Sequence, residues 1–142
     1  MRVVSVVYID DMAYIPYNKG EVMKKFVIEF YVKKDGKIPV EKFIISQNRK
    51  MKARILRFLE ILQEKGNHLR EPYSKHIEDG IFELRIKSGT DISRLLYFFY
   101  YEGKIVVTNG FIKKSQKTPK KEIETAKRYR EDYIARLKNE KI

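Results

Sequence analysis

The stretch Gly80–Pro119, GIFELRIKSGTDISRLLYFFYYEGKIVVTNGFIKKSQKTP, decides the fold. Phe82, Leu84 and Ile86 alternate with Glu83, Arg85 and Lys87, the period-2 pattern of a half-buried strand. Ser88-Gly89-Thr90-Asp91 is a turn. Ile92 to Tyr101 is almost continuously apolar or aromatic, as expected of a central strand covered on both faces. Glu102-Gly103 is a second turn, and Ile105 to Ile112 is a third strand, β-branched at its start. The stretch therefore reads as a three-stranded antiparallel meander with a lysine-rich exit.

The turns set a register. A hairpin closed across Gly89-Thr90 puts Arg85 opposite Arg94 on one face. Like charges facing each other are unfavourable unless an anion lies between them. A second hairpin closed across Glu102-Gly103 puts Phe111 opposite Arg94 and Asn109 opposite Leu96. Lys113, Lys114 and Lys117 follow the strand end. Two arginines, an aromatic ring and a lysine rim are suited to a phosphodiester and a stacked base. The plainer expectation is a solvated basic face with Arg85 paired to Glu83 or Asp91.

Working outward, Phe26 to Lys33 alternates as a further strand, ended by Asp35-Gly36. Pro39 suits a first helical turn, and Val40, Phe43, Ile44 and Gln47 form one helical face. Met51, Ile55, Phe58, Leu59 and Leu62 form the stripe of an amphipathic helix that Gly66-Asn67 ends. A helical hairpin joined near Gln47-Asn48 would pack this stripe on the sheet. Its cations, Arg49, Lys50, Lys52, Arg54 and Arg57, either contact RNA or solubilise the helix, and solubilisation is the favoured reading. Leu69 to Asp79 reads as an irregular connector, with Tyr73, Lys75 and His76 within reach of the basic face. At the far end, Thr118 is expected to cap a C-terminal helix with Pro119 at its first position and Glu122 and Glu124 in its early turns. The fold class is α+β: a twisted, mainly antiparallel sheet with an N-terminal helical hairpin and a C-terminal helix near its open face.

Three segments, EPYSKHIEDGIFELR (71–85), SRLLYFF (93–99) and GFIKKSQKTP (110–119), in this order and spacing, resemble the toxins of the RelE/HigB superfamily, in particular its phage-derived HigB-like branch. The resemblance spans roughly Phe26 to Tyr133. It implies a RelE-like fold and a ribosome-dependent mRNA endonuclease, the toxin of a type II toxin-antitoxin system, held inactive by a cognate helix-turn-helix antitoxin. It places catalytic basic residues at Arg85 and Arg94, and at Lys113 or Lys114. Glu83 stands where some relatives have lysine, and Asn109 where many have histidine. The expected catalytic set is Arg85, Arg94, Lys113 and Glu83; the expected RNA-binding set is Lys75, Lys87, Phe111, Lys114 and Lys117. RNA carries its own nucleophile, the 2′-OH, so neither cofactor nor metal is expected. His68 and His76 show no zinc-like spacing.

Composition agrees with these expectations. A chain of 142 residues fits one domain. Its net charge of +12 favours polyanionic partners such as mRNA on the ribosome. No cysteine is present, which fits the cytoplasm, and no apolar run approaches the ~20 residues of a membrane span. Residues 23–142 are expected to be the toxin-like domain. Residues 1–22 read as an extension, either upstream read-through before a start at Met23 or an extra edge strand. Two other classes fit the same basic chain: a ParE-like DNA gyrase inhibitor, and a non-enzymatic nucleic-acid-binding protein of phage origin.

Overall fold

The computed structural model describes residues 7–9 and 12–14, as backbone, and residues 26–140. Strands β1 (Val7–Ile9) and β2 (Met12–Tyr14) pair with each other antiparallel, flanking Asp10-Asp11. The pair forms its own two-stranded sheet. The boundary at Met23 lies outside the described residues.

The main sheet contains β3 (Val27–Phe30), β4 (Ser74–Glu78), β5 (Ile81–Ser88), β6 (Asp91–Tyr100) and β7 (Lys104–Ile112). Its order is β3-β7-β6-β5-β4. Every pair is antiparallel except β3 with β7. The central position of β6 explains its continuous apolar run. Leu95 and Tyr97 face one cluster, and Leu96 and Phe98 face another on the opposite side. Helices α1 (Pro39–Ile45) and α2 (Arg49–Lys65) cover the first side, and α3 (Lys120–Glu140) covers the second.

The predicted stripe of α2 is the buried one: Met51, Ile55, Leu59 and Leu62 are all in the core. Burying side chains of this size stabilises by about 1.5–3 kcal/mol each. Asn48 caps the helix, its Oδ1 accepting from the Met51 amide at 2.8 Å. Gly66 ends it at φ +53°, and a Cβ there would lie 1.9 Å from the Phe26 ring. The glycine is needed for close approach as much as for its backbone conformation.

The two hairpins reach the predicted register by different routes. Ser88 pairs with Asp91 across Gly89-Thr90, with Gly89 at φ +63°, the conformation a two-residue turn needs at its first central position. Arg85 then faces Arg94. The second loop is one residue longer than the sequence implies, because Tyr100 rather than Tyr101 pairs with Lys104. A bulge at Thr108 adds one residue to β7 and restores the offset, so Phe111 still faces Arg94 and Asn109 still faces Leu96.

Two expectations need correction. Residues 74–78 form edge strand β4 rather than an irregular connector, closed onto β5 by Asp79-Gly80 with both residues at positive φ. That dipeptide is a two-residue hairpin signal and marks β4 in the sequence. Helix α3 begins at Lys120, so Pro119 stands at the cap rather than at the first helical position, and Thr118 lies one residue before the cap with its hydroxyl donating to Glu83. The Pro119 carbonyl accepts from the amides of Glu122 and Ile123 at 3.0 and 3.2 Å.

Candidate nucleic-acid cleft

The anion that the facing arginines require is supplied by the protein itself. Glu83 lies one strand position pair away from Arg85 on the same face, and its side chain is only 3% exposed. Its Oε2 lies 3.2 Å from Arg94 Nη1 and accepts from the Thr118 hydroxyl at 2.6 Å. Its Oε1 lies 4.0 Å from Arg85 Nε. Arg94, 2% exposed, is further held by the segment between β7 and α3: Nη2 donates to the Ser115 and Gln116 carbonyls at 3.3 and 3.1 Å. Burial pulls the Arg94 guanidinium below its ordinary value, and the Glu83 charge opposes that pull. Arginine remains cationic under such perturbation.

The two arginines are therefore unlike. Arg94 is part of a buried network that ties β5, β6 and the β7–α3 segment together. Arg85 keeps 30% of its side chain exposed, and its buried Nε has no hydrogen-bond partner among the described residues. The face predicted to be open is partly closed by α3 and the segment leading into it. What stays open is a cleft of about 480 Å³ bordered by Lys75, His76, Glu83, Arg85, Lys117 and Thr118. Lys127 and Arg130 of α3 brace one wall, pairing with Glu78 at 2.6 Å and Asp79 at 2.8 Å. His76 Nε2 accepts from the Gly80 amide at 3.2 Å.

The remaining predicted residues fall around this cleft in distinct places. Lys75 and Lys117 line it. Lys113 and Lys114 line a neighbouring depression with Asp91 and Gln116. The Lys113 ammonium is held below the usual lysine range, first by desolvation and then by the Arg85 and Arg94 cations, with Glu83 opposing them. Lys87 borders a separate cavity on the α2 side. Phe111 is the main displacement: its ring is packed with Leu96, Phe98 and Ala126 beneath α3 instead of lining the cleft. Apolar surface at the sheet centre is better buried than exposed. Asn109 is also outside the cleft. Its side-chain nitrogen donates to Glu122 Oε1 at 3.1 Å, and its oxygen accepts from the Thr108 hydroxyl at 2.7 Å, so it fastens β7 to the first turn of α3.

Thr118 and Gln116 also line the cleft. Thr118 hydrogen-bonds Glu83 across 35 residues of chain, a contact without a local signal. Among the described residues no cluster of three His, Asp or Glu side chains is arranged to hold a metal. No described helix is long and apolar enough to cross a membrane. In chemical terms the cleft offers cations for a phosphate, an imidazole, and a carboxylate already committed to two partners. A family model described as phage-derived protein, Gp49-like, matches residues 42–131, which include α2, β4 to β7 and every residue that lines the cleft. No curated protein matches the chain.

Proposed function

The chain belongs to the Gp49-like family of phage-derived proteins, and on that premise we propose that it is the toxin of a toxin-antitoxin system, an endoribonuclease acting on mRNA at the ribosome. The Gp49-like family is itself a member of the RelE/HigB-like toxin superfamily. The observation that carries the proposal is the position of Arg85: a guanidinium 4.0 Å from the Glu83 carboxylate, 30% exposed, in a cleft that Lys75 and Lys117 also line.

The reaction needs no covalent enzyme group. The 2′-oxygen attacks the adjacent phosphorus, the bond to the 5′-oxygen breaks, and a 2′,3′-cyclic phosphate and a 5′-hydroxyl result. The protein must align the attack, stabilise charge on the phosphate, remove one proton and supply another. Arg85 stabilises the phosphate oxygens, since its fork matches them and stays charged. Lys75 and Lys117 hold the flanking backbone, with Lys114 and Lys87 further along the strand. His76 and Lys113 exchange protons with the 2′- and 5′-oxygens. The Glu83–Arg94 pair acts as a positioning device for Arg85. Its carboxylate already accepts from Arg94 and Thr118, which makes it a poor base. The natural restraint on such an activity is a cognate antitoxin of helix-turn-helix type.

The test is induced expression in a bacterial host, with growth followed and mRNA 5′ ends mapped, against an Arg85→Ala control. Growth arrest with in-frame cuts in translated codons, both absent in the control, is the expected outcome. Arrest without cuts would replace this reading with gyrase inhibition. No arrest by a soluble, folded protein would overturn it.

A further inference from the structure

Arg85 also borders a second cavity, of about 390 Å³, further along β5 and shared with Arg54 and Phe58 of α2. It exists because β4 begins at Ser74, whose partner on β5 is Leu84, so the outer edge of β5 beyond Arg85 is left without a neighbouring strand. The Phe58 and Tyr73 rings meet there edge to face, with centroids 5.9 Å apart. Tyr73 is 52% exposed although its backbone is well fixed: its carbonyl accepts from the Arg85 amide at 2.8 Å. The aromatic ring and the guanidinium are thus held at adjacent places on the sheet edge. Arg54 lies over Phe58 at 5.6 Å and donates to the Lys87 carbonyl at 2.6 Å. The cation of Arg54, expected to solubilise α2, is instead folded onto this edge.

An exposed aromatic ring in a cavity also lined by Arg54, Arg85 and Lys87 combines a π surface with positive charge. A nucleobase matches the ring by stacking, and its flanking phosphates match the cations. The bases of a duplex are already stacked on each other, so the surface selects an unpaired strand. We propose that this cavity is a base-stacking subsite, which takes one unpaired RNA base on Tyr73 while the adjacent phosphate lies at Arg85. The inference rests on the reading of the cleft as an RNA site and adds where the strand continues beyond it.

The test uses the full chain and a single-stranded RNA hexamer containing 2-aminopurine, read by anisotropy and by quenching of the base. The wild-type chain is expected to bind the strand, quench the base and prefer it to the same sequence in a duplex. Tyr73→Ala should lose the quenching and weaken binding by about tenfold or more, with the salt dependence unchanged. Tyr73→Phe should retain both signals. Arg85→Ala should instead flatten the salt dependence by about one phosphate contact. A folded Tyr73→Ala protein that binds and quenches like the wild type would overturn the subsite, as would wild-type binding that favours the duplex, or no binding at all. Retention of growth arrest, with its loss in Arg85→Ala, would then show that the subsite has failed and the cleft reading has not.

Discussion

Glu83→Leu and Arg94→Met, made singly and together, would test the buried pair at the back of the cleft. Both side chains are almost wholly removed from solvent, at 3% and 2% exposure, and lie 3.2 Å apart. Removing Glu83 leaves Arg94 buried and facing Arg85 with no anion between them. Removing Arg94 leaves a buried carboxylate with only the Thr118 hydroxyl in contact and Arg85 4.0 Å away. Breaking a buried pair from one side typically costs about 3–5 kcal/mol, against at most ~1 kcal/mol for an exposed pair. In a chain of 142 residues a loss of this size lowers Tm by about 10–15 °C. The double replacement removes both charges and keeps the volume, so it should cost less than either single change. The coupling, the sum of the single costs minus the cost of the double, is then at least about 3–5 kcal/mol, read from urea unfolding of the four proteins. Additivity within about 0.5 kcal/mol would refute the reasoning, since independent sites add to that accuracy. The cycle also identifies the variant suited to functional work. Arg85→Ala removes a partly exposed cation and leaves this network in place, whereas any Arg94 replacement confuses loss of activity with loss of fold.

Two further outcomes follow from buried or crowded titratable groups. Glu29 on β3 is fully buried, with no hydrogen bond to either carboxylate oxygen among the described residues; burial raises its pKa above 4.5, and the Tyr133 hydroxyl and Lys104 only partly offset this. A raised carboxyl favours the folded state below the unfolded value, and that contribution is lost as pH rises through the folded value. Glu29→Gln should therefore be more stable than the wild type at pH 7, with the gain disappearing below about pH 4.5 in thermal melts across that range; an equal gain at all pH values would show that the charge is not its origin. Lys113 has its pKa lowered, so its positive charge is lost at lower pH than for an ordinary lysine. RNA affinity should decline on the alkaline side, and Lys113→Arg should move that decline to higher pH. An identical alkaline limb in the two proteins would remove Lys113 from the site.

The sequence by itself determined everything that depends on neighbours along the chain. Alternation through Phe82–Lys87, the Gly89-Thr90 turn and the unbroken run of β6 specified the meander and the facing of Arg85 and Arg94. The stripe from Met51 to Leu62 specified α2 and its buried side. Period and turn residues encode these features because each element must hide one face, and a two-residue turn permits few registers. Only the tertiary structure decided that Thr118 and the segment before α3 close over the Glu83–Arg94 diagonal of that hairpin, a meeting that no local pattern encodes. It also decided that Phe111 is covered by α3 and that Asn109 fastens that helix instead of facing the cleft. The parallel pairing of β3 with β7 is of the same kind. Such contacts depend on where α3 and β3 settle once the meander exists. They are set by the total apolar area that can be covered, a property of the assembled chain rather than of any stretch of it.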